Sequence, residues 1–203
     1  IAVDDDVNVR DFRSVSRALR EHLDPCDGLH LLAPTAQDTL DFSGPSMNVG
    51  SRLILLANRT SHSPLRPAPP PPPPPREVHD DIIALRALGE GVLMVQVSGE
   101  WRRESVQKAL IEHYVTRQYV FHAAVSEDVP INDDRLALWG WFTRFDPLSD
   151  LYPARREQAG NRMILHTPIL FDATWKEGYR KPVAFDPEKE KRVLDNWNRY
   201  GFK

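Results

Sequence analysis

The stretch that decides the fold is "VLMVQVSGEWRRESVQKALIEHYVTRQYVFHAAVS", residues 92–126. It begins with an apolar run of strand length at 92–98 and ends with a second one, "YVFHAAVS", at 119–126. The spacing of four apolar residues between these runs predicts a helix with a buried stripe, formed by Val106, Ala109, Leu110 and Val115. A strand, a helix and a strand in this order predict a parallel βαβ unit with a right-handed crossover.

The residues before this unit predict a helix and a spacer. In "VHDDIIALRALGE", residues 78–90, four apolar residues stand at helical spacing: Val78, Ile82, Leu85 and Leu88. Further upstream, "RPAPPPPPPPR" contains seven consecutive prolines, Pro69–Pro75. Because proline fixes φ and has no amide donor, this run predicts a semi-rigid polyproline II spacer. The alternative is a ligand for an aromatic-lined groove of a partner.

An internal repeat links the two ends of the chain. At an offset of 122 residues, "AVDDDVNVRDFRSVSRALREHLDPCDGL" (2–29) aligns without gaps with "AVSEDVPINDDRLALWGWFTRFDPLSDL" (124–151), with nine identities in 28 positions. Each copy predicts a strand, an acidic turn, an Asp that caps a helix (Asp11, Asp133) and a helix that ends before "DP". A glycine-led match of "GSRLILLA" from Gly50 with "GNRMILHTPILFDA" from Gly160 extends the repeat.

These patterns predict an α/β fold. We expect a βαβ-containing mixed sheet with flanking helices, partly duplicated, with a polyproline linker and a C-terminal helix. The predicted division is a first, truncated unit at 1–60, a linker at 61–76 and a second, more complete unit at 77–203. The first unit lacks the strand and helix that precede the second, so we expect the amino end to be truncated.

Composition narrows the function classes. A formal net charge of -3 and a pI of about 6.2 provide no basic surface of the kind that nucleic acid requires. No apolar run has the length of a membrane span, and no signal peptide is recognisable. A single cysteine, Cys26, excludes an intrachain disulfide framework and favours a reducing compartment, so a cytoplasmic location is predicted.

The motifs of both copies resemble the carboxy-terminal region of the UbiD-type carboxy-lyase family, which includes 3-octaprenyl-4-hydroxybenzoate and ferulic acid decarboxylases. The matching features are "VDDDV" from Val3, "VSEDV" from Val125, "GSR" from Gly50, "GNR" from Gly160 and "DATWK" from Asp172. Trp139 and Arg144 before Asp146-Pro147, and the closing "FDPEKEKRVLDNWNRYGFK", complete the resemblance. It covers residues 92–203 well and residues 1–58 more loosely.

The resemblance implies a role within a larger enzyme. Family members use prenylated flavin mononucleotide with manganese and potassium to decarboxylate or carboxylate aromatic or unsaturated acids. Their acid–base residues and metal ligands lie in an upstream domain that has no counterpart here. We therefore expect no catalytic, cofactor-binding or metal-binding residues in this chain, no cofactor bound by it alone, and a UbiD-like catalytic domain or subunit as partner. The alternative is a non-catalytic scaffold that recruits partners through the polyproline segment.

Several residue groups have the composition of a site without its spacing. Asp4, Asp5 and Asp6 are adjacent carboxylates, but consecutive strand residues point in opposite directions, so an acidic turn before a helix is the better interpretation, as it is for Glu127 and Asp128. The histidines that a metal site would need are scattered, without an HxH or HxxxH pair: His113, His122 and His166. Ser51 and Arg52 follow the single Gly50, which by itself makes no phosphate loop.

Two apolar groups predict association. Trp139, Trp141 and Phe142 lie within one helical turn and favour a subunit interface over a cofactor site. The terminal helix "EKEKRVLDNWNRY" presents an apolar stripe of Val193, Trp197 and Tyr200 on a charged surface. A homo- or hetero-oligomer is expected from these surfaces.

Overall fold

A computed structural model describes residues 1–59, 66–179 and 186–201. The described residues form eight strands, which are β1 (Ala2–Val3), β2 (Leu29–Ala36), β3 (Val49–Ala57), β4 (Ile82–Ala87), β5 (Val92–Val97), β6 (Phe121–Val125), β7 (Leu151–Ala159) and β8 (Arg162–Ala173). They also form five α-helices, which are α1 (Phe12–His22), α2 (Pro75–Val78), α3 (Arg103–Glu112), α4 (Asp134–Phe142) and α5 (Pro187–Asp195). The predicted α/β class is confirmed.

The larger sheet contains the predicted βαβ unit. Its strand order is β4-β5-β6-β8-β7, with β5, β6 and β8 parallel and the two outer strands antiparallel to their neighbours. Helix α3 connects β5 to β6 and buries Val106 and Leu110 against the sheet. The central strands β5 and β6 are almost completely buried, which explains why both read as continuous apolar runs.

The helix predicted for residues 78–90 is wrong. Only the single turn α2 is helical, and residues 82–87 form β4, which pairs antiparallel with β5 from Ile82↔Val97 to Ala87↔Leu93. Gly89, with φ of 80°, supplies the turn of this hairpin. Apolar residues three apart fitted a helix in sequence, but the glycine turn and the buried neighbouring strand decide in favour of a hairpin.

The smaller sheet repeats part of the larger one. Its order β1-β3-β2 corresponds to β6-β8-β7, and in both sheets the first pair is parallel and the second antiparallel. The pairing register agrees up to the β-bulge of each hairpin, because Leu29↔Leu55 corresponds to Leu151↔Phe171 and Leu31↔Leu53 to Pro153↔Ile169. Both predicted helix caps are formed, since Asp11 accepts from the Arg13 amide and Asp133 from the Arg135 amide. The duplication is therefore a property of the fold.

One detail of the predicted repeat needs correction. The pairing of β3 with β1 and of β8 with β6 makes β3 and β8 equivalent at an offset of 116 residues, so Gly50, which lies within β3, does not correspond to Gly160, which lies in the turn before β8. The connection between β2 and β3 is longer than the tight turn between β7 and β8, and the extra residues shift the glycines along the sequence. The glycine-led match had aligned two different points of the hairpins.

The first unit (residues 1–59) and the second unit (residues 77–179) share a hydrophobic core. One cluster of buried side chains includes Leu19 and Leu55 from the first unit with Met94 and Phe171 from the second. Gly91 lies against the Ser16 carbonyl of α1, where a Cβ would overlap it. A second cluster lies around α3 on the opposite face of the larger sheet. The division at 61–76 stays a prediction, and residues 61–65 of that linker lie outside the described residues.

The polyproline run lies on the second unit. The Tyr119 hydroxyl donates to the Pro70 carbonyl over 3.1 Å, and Pro75 begins α2. At the other end of the chain, the predicted terminal helix is confirmed as α5, followed by a 3₁₀ turn at Trp197–Arg199. No residue of α5 is buried.

Candidate functional site

Buried polar side chains collect where α4, β7 and β8 of the second unit meet β3 of the first. We call this set the polar cluster: Ser51, Asp146, Asp150, Asp172 and Lys176. The three aspartates are 3%, 5% and 7% exposed, so the cluster places three carboxyl groups in the interior. Buried carboxyl groups need compensating partners, and the cluster provides them.

Local sequence sets the positions of Asp146 and Asp150. Asp146 and Pro147 follow the end of α4, and the Asp146 carbonyl accepts from the Asp150 amide over 2.9 Å. In return, the Asp150 carboxylate accepts from the Asp146 amide over 2.7 Å. The same turn occurs in the first unit, where the Asp24 carbonyl accepts from the Gly28 amide over 2.7 Å. The "DP" that ends each helix therefore also shapes the loop into the next strand.

Ser51 connects the two units. Its hydroxyl donates to the Asp146 carboxylate and accepts from the Leu148 amide over 2.8 Å. Ser51 is 2% exposed. A buried, charge-assisted hydrogen bond of this kind fixes the hairpin of the first unit against the loop after α4.

Lys176 supplies the positive charge of the cluster. Its ammonium donates to the Asp172 carbonyl over 2.7 Å and to the Arg144 carbonyl over 3.0 Å, and it lies 3.3 Å from the Asp150 carboxylate. Burial raises the pKa of Asp150 above its usual value, while the Asp146 amide and Lys176 act in the opposite direction. The ammonium therefore holds the strand end of β8 and the end of the α4 loop together.

Arg144 anchors the acidic turn of the second unit. Its guanidinium makes a bidentate pair with Asp128, at 2.8 and 2.7 Å, and lies over the Trp175 ring at 4.8 Å. The hydrogen bonds from Arg144 hold the pKa of Asp128 below its usual value. In the first unit, Arg59 plays the corresponding part with Asp6 over 2.5 Å, but both side chains are exposed.

The chemical role of the polar cluster is positional. Its carboxylates already accept hydrogen bonds from Ser51, backbone amides or Lys176. The described part of the chain contains no group of three or more His, Cys, Asp or Glu side chains placed to hold a metal ion. The cluster is suited to hold loops and strands in fixed relative positions.

Beside the cluster lies a cavity of about 220 Å³, which we call the inter-unit cavity. The first unit contributes β3 and the loop before it, and the second unit contributes α4, the loop after it and β8. Apolar and aromatic side chains make up most of the wall, which includes Leu53, Leu55, Trp141, Phe142, Phe145 and Phe171, and the polar lining residues include Gln37, Asp41 and Arg52.

The individually predicted acidic residues and histidines are separated in the structure. Asp4 and Asp6 form an acidic turn paired with Arg59, as expected. His122 is fully buried, its Nε2 contacts the Thr116 carbonyl over 2.8 Å, and burial lowers its pKa to about 4. His166 instead pairs with the exposed Glu157. Sequence reasoning did not single out Lys176 or Asp150, although the "DATWK" motif contains that lysine.

Of the three aromatic residues predicted to form a subunit interface, Trp141 does not lie at the surface, and an interface at Trp139 and Phe142 stays a prediction. Trp141 is 2% exposed and belongs to the core, stacked on Phe142 with 4.6 Å between ring centroids. Trp139 and Phe142 are 57% and 48% exposed. Because α4 lies on the sheet with one face, a cluster within a single turn divides between core and surface. Val193, 40% exposed, shows that the stripe of α5 is also accessible.

Structural comparison finds enzymes of the UbiD class among the similar structures. Vanillic acid decarboxylase from Sedimentibacter hydroxybenzoicus, in open form with truncated ShVdcD, aligns at a TM-score of 0.43 and 16% identity, over 88% of this chain and 46% of that one. The UbiD-class enzyme HmfF from Pelotomaculum thermopropionicum in complex with FMN aligns at 0.42 and 15% identity, over 60% and 30%.

Sequence comparison finds longer relatives. One subunit of a 4-hydroxybenzoate decarboxylase from Chlamydia pneumoniae is 28% identical over 98% of this chain and 33% of its own length. An uncharacterized protein from Chlamydia muridarum is 26% identical over 97% and 33%. The chain thus spans about a third of the length of these curated relatives. No helix within the three described segments is long and apolar enough to cross a membrane.

Residues 1–57 match the sequence profile of the 3-octaprenyl-4-hydroxybenzoate carboxy-lyase C-terminal domain. This match falls on the first copy of the repeat, with its acidic turn, α1 and the hairpin β2–β3. The predicted resemblance to the carboxy-terminal region of the UbiD-type carboxy-lyase family is confirmed.

Proposed function

We propose that this chain is the carboxy-terminal, oligomerising and active-site-bracing part of a UbiD-like, prenylated-flavin-dependent aromatic acid decarboxylase or carboxylase. The catalytic domain would be supplied by another domain or subunit, and the enzyme would work in the cytoplasm. One observation carries this proposal. An edge and a face that are covered in the larger sheet are left open by the described residues in the equivalent smaller sheet.

In the second unit, the sheet is covered and extended. Strand β5 pairs with β6 along the edge that faces away from β8, and α3 covers one face of the sheet. Ala124, Tyr152 and Leu170 are packed there against Val106 and Leu110. The strand and helix before β6 therefore complete this unit.

In the first unit, the described residues leave the equivalent edge and face open. Ala2 and Ile54, which correspond to Ala124 and Leu170, are both exposed, the latter by 40%. Leu32 adds another side chain with 49% exposure. A free strand edge beside an apolar face favours pairing with further polypeptide. We propose that a strand and a helix attached to the catalytic part complete this sheet.

The polar cluster supports the bracing role. Because Ser51 and Asp146 join the two units through buried groups, the open sheet belongs to a unit that is packed against the second one. The exposed Trp139 and Phe142 offer a separate apolar surface for assembly. These two surfaces suit a part that positions a catalytic domain within an oligomer.

Two hollows formed by described residues are poorly suited to the family's cofactor, which supports placing its site elsewhere. The inter-unit cavity, at about 220 Å³, is below the range of about 300–1,000 Å³ typical of ligand pockets. A larger hollow of about 520 Å³ is lined by a single loop, residues 39–47, whose charged lining residue is Asp41. A carboxylate opposes the binding of a phosphate. We therefore assign prenylated FMN, manganese and potassium to the catalytic part.

The proposal is tested by mixing the 203-residue chain with prenylated FMN, manganese and potassium. We expect neither flavin retention on gel filtration nor carbon dioxide release from aromatic acids. Activity should require a UbiD-like catalytic domain, either joined ahead of residue 1 or added as a subunit. A flavin spectrum that co-elutes with the chain alone, together with turnover, would contradict the proposal.

The scaffold alternative stays a prediction. One contact of the polyproline run is made within this chain, since the Pro70 carbonyl accepts from Tyr119. Binding of a groove-bearing domain to the run, in a chain that does not associate with any catalytic domain, would favour the scaffold.

A further inference from the structure

We infer that a pocket lined by Arg66 and Arg117 binds the phosphate group of inorganic phosphate or of a small phosphate monoester. The pocket has a volume of about 170 Å³, and we call it the arginine pocket. Its lining residues are Arg66, Pro67, Arg117, Gln118, Tyr119 and Thr167. The inference goes beyond the proposed function, because it concerns a site that this chain forms by itself.

The arginine pocket is built from three segments that are far apart in the sequence. Arg66 begins the described part of the proline-rich linker, Arg117 lies in a 3₁₀ turn just before β6, and Thr167 lies in β8. Thr167 belongs to the β-bulge that interrupts the pairing of β8 with β7. Bulges re-aim side chains and are frequent beside functional sites. The fold therefore brings two cationic groups and a hydroxyl to one place.

Both arginines of the pocket lack an anionic partner. Within the described segments, neither guanidinium group donates a hydrogen bond or forms an ion pair, and no carboxylate lines the pocket. Arg66 is half-buried, whereas every other described arginine without a side-chain partner is exposed. Burial lowers the pKa of Arg66 below its usual value, while the charge of Asp24 acts in the opposite direction. Because a cation that is partly removed from water needs compensation, a bound anion would stabilise this arrangement.

A ligand in the pocket can reach these donor groups. Arg117 is exposed, and no side-chain nitrogen of Arg66 is among the described atoms that are sealed from solvent without a partner. The same is true of the Thr167 hydroxyl, which makes no hydrogen bond to a described residue. Two guanidinium groups and one hydroxyl are therefore available to a single ligand.

A phosphate group matches this set of donors. A phosphate monoester carries a charge of about −1.5 to −2 at pH 7 and three strong acceptor oxygens, which suits two guanidinium groups and a hydroxyl. Guanidinium groups bind phosphate oxygens through pairs of parallel N–H donors. A carboxylate has one charge and two oxygens, so it uses fewer of the donors.

The size of the pocket limits the ligand. Its volume of about 170 Å³ is below the range of about 300–1,000 Å³ typical of pockets that enclose a whole ligand. The pocket accommodates a phosphate group but not a flavin ring system. The assignment of prenylated FMN to the catalytic part is therefore unchanged.

The test is a titration of the 203-residue chain by isothermal calorimetry and NMR at constant ionic strength. Inorganic phosphate and glycerol phosphate are the two phosphate probes, and acetate represents the carboxylates. We expect saturable binding of phosphate with a dissociation constant on the order of 1 mM, and binding of acetate that is about fivefold weaker or less. Tighter binding of glycerol phosphate than of inorganic phosphate would identify a monoester as the ligand, and the reverse order would identify the free ion.

Variants locate the site. Arg117→Gln removes an exposed charge and should weaken phosphate binding about tenfold, as should Arg66→Gln, with the fold checked by circular dichroism. Thr167→Val keeps the shape of the side chain but removes the hydroxyl, and should weaken binding about threefold. Arg76→Gln is the matched control, because Arg76 is also exposed but does not line the pocket. It changes the net charge equally and should leave phosphate binding unchanged.

Three results would overturn the inference. They are the absence of saturable phosphate binding, equal affinity for phosphate and acetate, and phosphate binding that Arg117→Gln weakens no more than Arg76→Gln does. None of these depends on a catalytic partner. A site of millimolar affinity would not retain a flavin on gel filtration, so the inference and the proposed function fail separately.

Discussion

Replacing Lys176 with Met removes the positive charge of the polar cluster while keeping much of the side-chain volume. The ammonium has hydrogen bonds of 2.7 and 3.0 Å to two carbonyls and lies 3.3 Å from the Asp150 carboxylate. Loss of one partner of a fully buried ion pair costs about 3–5 kcal/mol. Since the Lys176 side chain is 26% exposed, we expect a loss of about 3 kcal/mol in the free energy of unfolding near neutral pH.

The pH dependence identifies the cause of this loss. The pKa of Asp150 is raised above 3.8 in the folded protein, which means that folding favours the protonated carboxyl group. The stability that this group contributes is therefore fully present below pH 3.8 and is lost as the pH rises through the folded pKa. Without Lys176 the folded pKa rises further, and the decline extends to higher pH. The difference between wild type and Lys176→Met should therefore be larger at about pH 7.5 than at about pH 5.

Urea unfolding followed by circular dichroism measures both effects. Lys189→Met is the matched control, because Lys189 is 73% exposed and lies 3.6 Å from Asp186, and its effect should stay below about 0.5 kcal/mol. A loss below about 1 kcal/mol for Lys176→Met, or an equal loss at both pH values, would refute the assigned role.

Three further experiments, with five substitutions, test the packing and the duplication by the same unfolding measurement. Arg144→Lys should lower the free energy of unfolding by about 2 kcal/mol, because lysine keeps the charge but loses the bidentate pair with Asp128 and the stacking on Trp175. A loss under about 0.5 kcal/mol would contradict this role of Arg144. Asp11→Ala and Asp133→Ala remove equivalent helix caps and should destabilise by similar amounts, whereas an effect in one copy alone would argue against equivalence. Gly91→Ala should cost about 1–3 kcal/mol through overlap with α1, whereas Gly99→Ala, with open space around it, should be nearly neutral.

Patterns carried by local geometry could be predicted from the sequence. The βαβ unit, the caps Asp11 and Asp133, and the ends of α1 and α4 before "DP" follow from periodicity and backbone preference. Strand β4 could not be separated from a helix, since Ile82 and Leu85 have helical spacing and reach the same face of the sheet only through the β-bulge between Ile82 and Ala84.

The polar cluster and the cavity depend on long-range contacts. Ser51 and Asp146 are 95 residues apart in the chain, and neither the "GSR" nor the "DP" motif that contains them predicts that they meet. Trp141 was grouped with its exposed neighbours because spacing within one turn does not show which side of the helix meets the sheet. Contacts between segments that are far apart in the sequence are set by the fold of the sheets, and no short motif predicts them.

The central claim is that the open edge and face of the first unit receive a strand and a helix attached to a UbiD-like catalytic domain. Amide hydrogen exchange tests it most directly, by comparing the 203-residue chain alone with a longer polypeptide in which that domain precedes residue 1. We predict that β1 and β3 gain protection in the longer polypeptide, whereas the equivalent strands β6 and β8, already covered, do not change. Unchanged exchange at β1 and β3 in a longer polypeptide that is folded and active would contradict the claim.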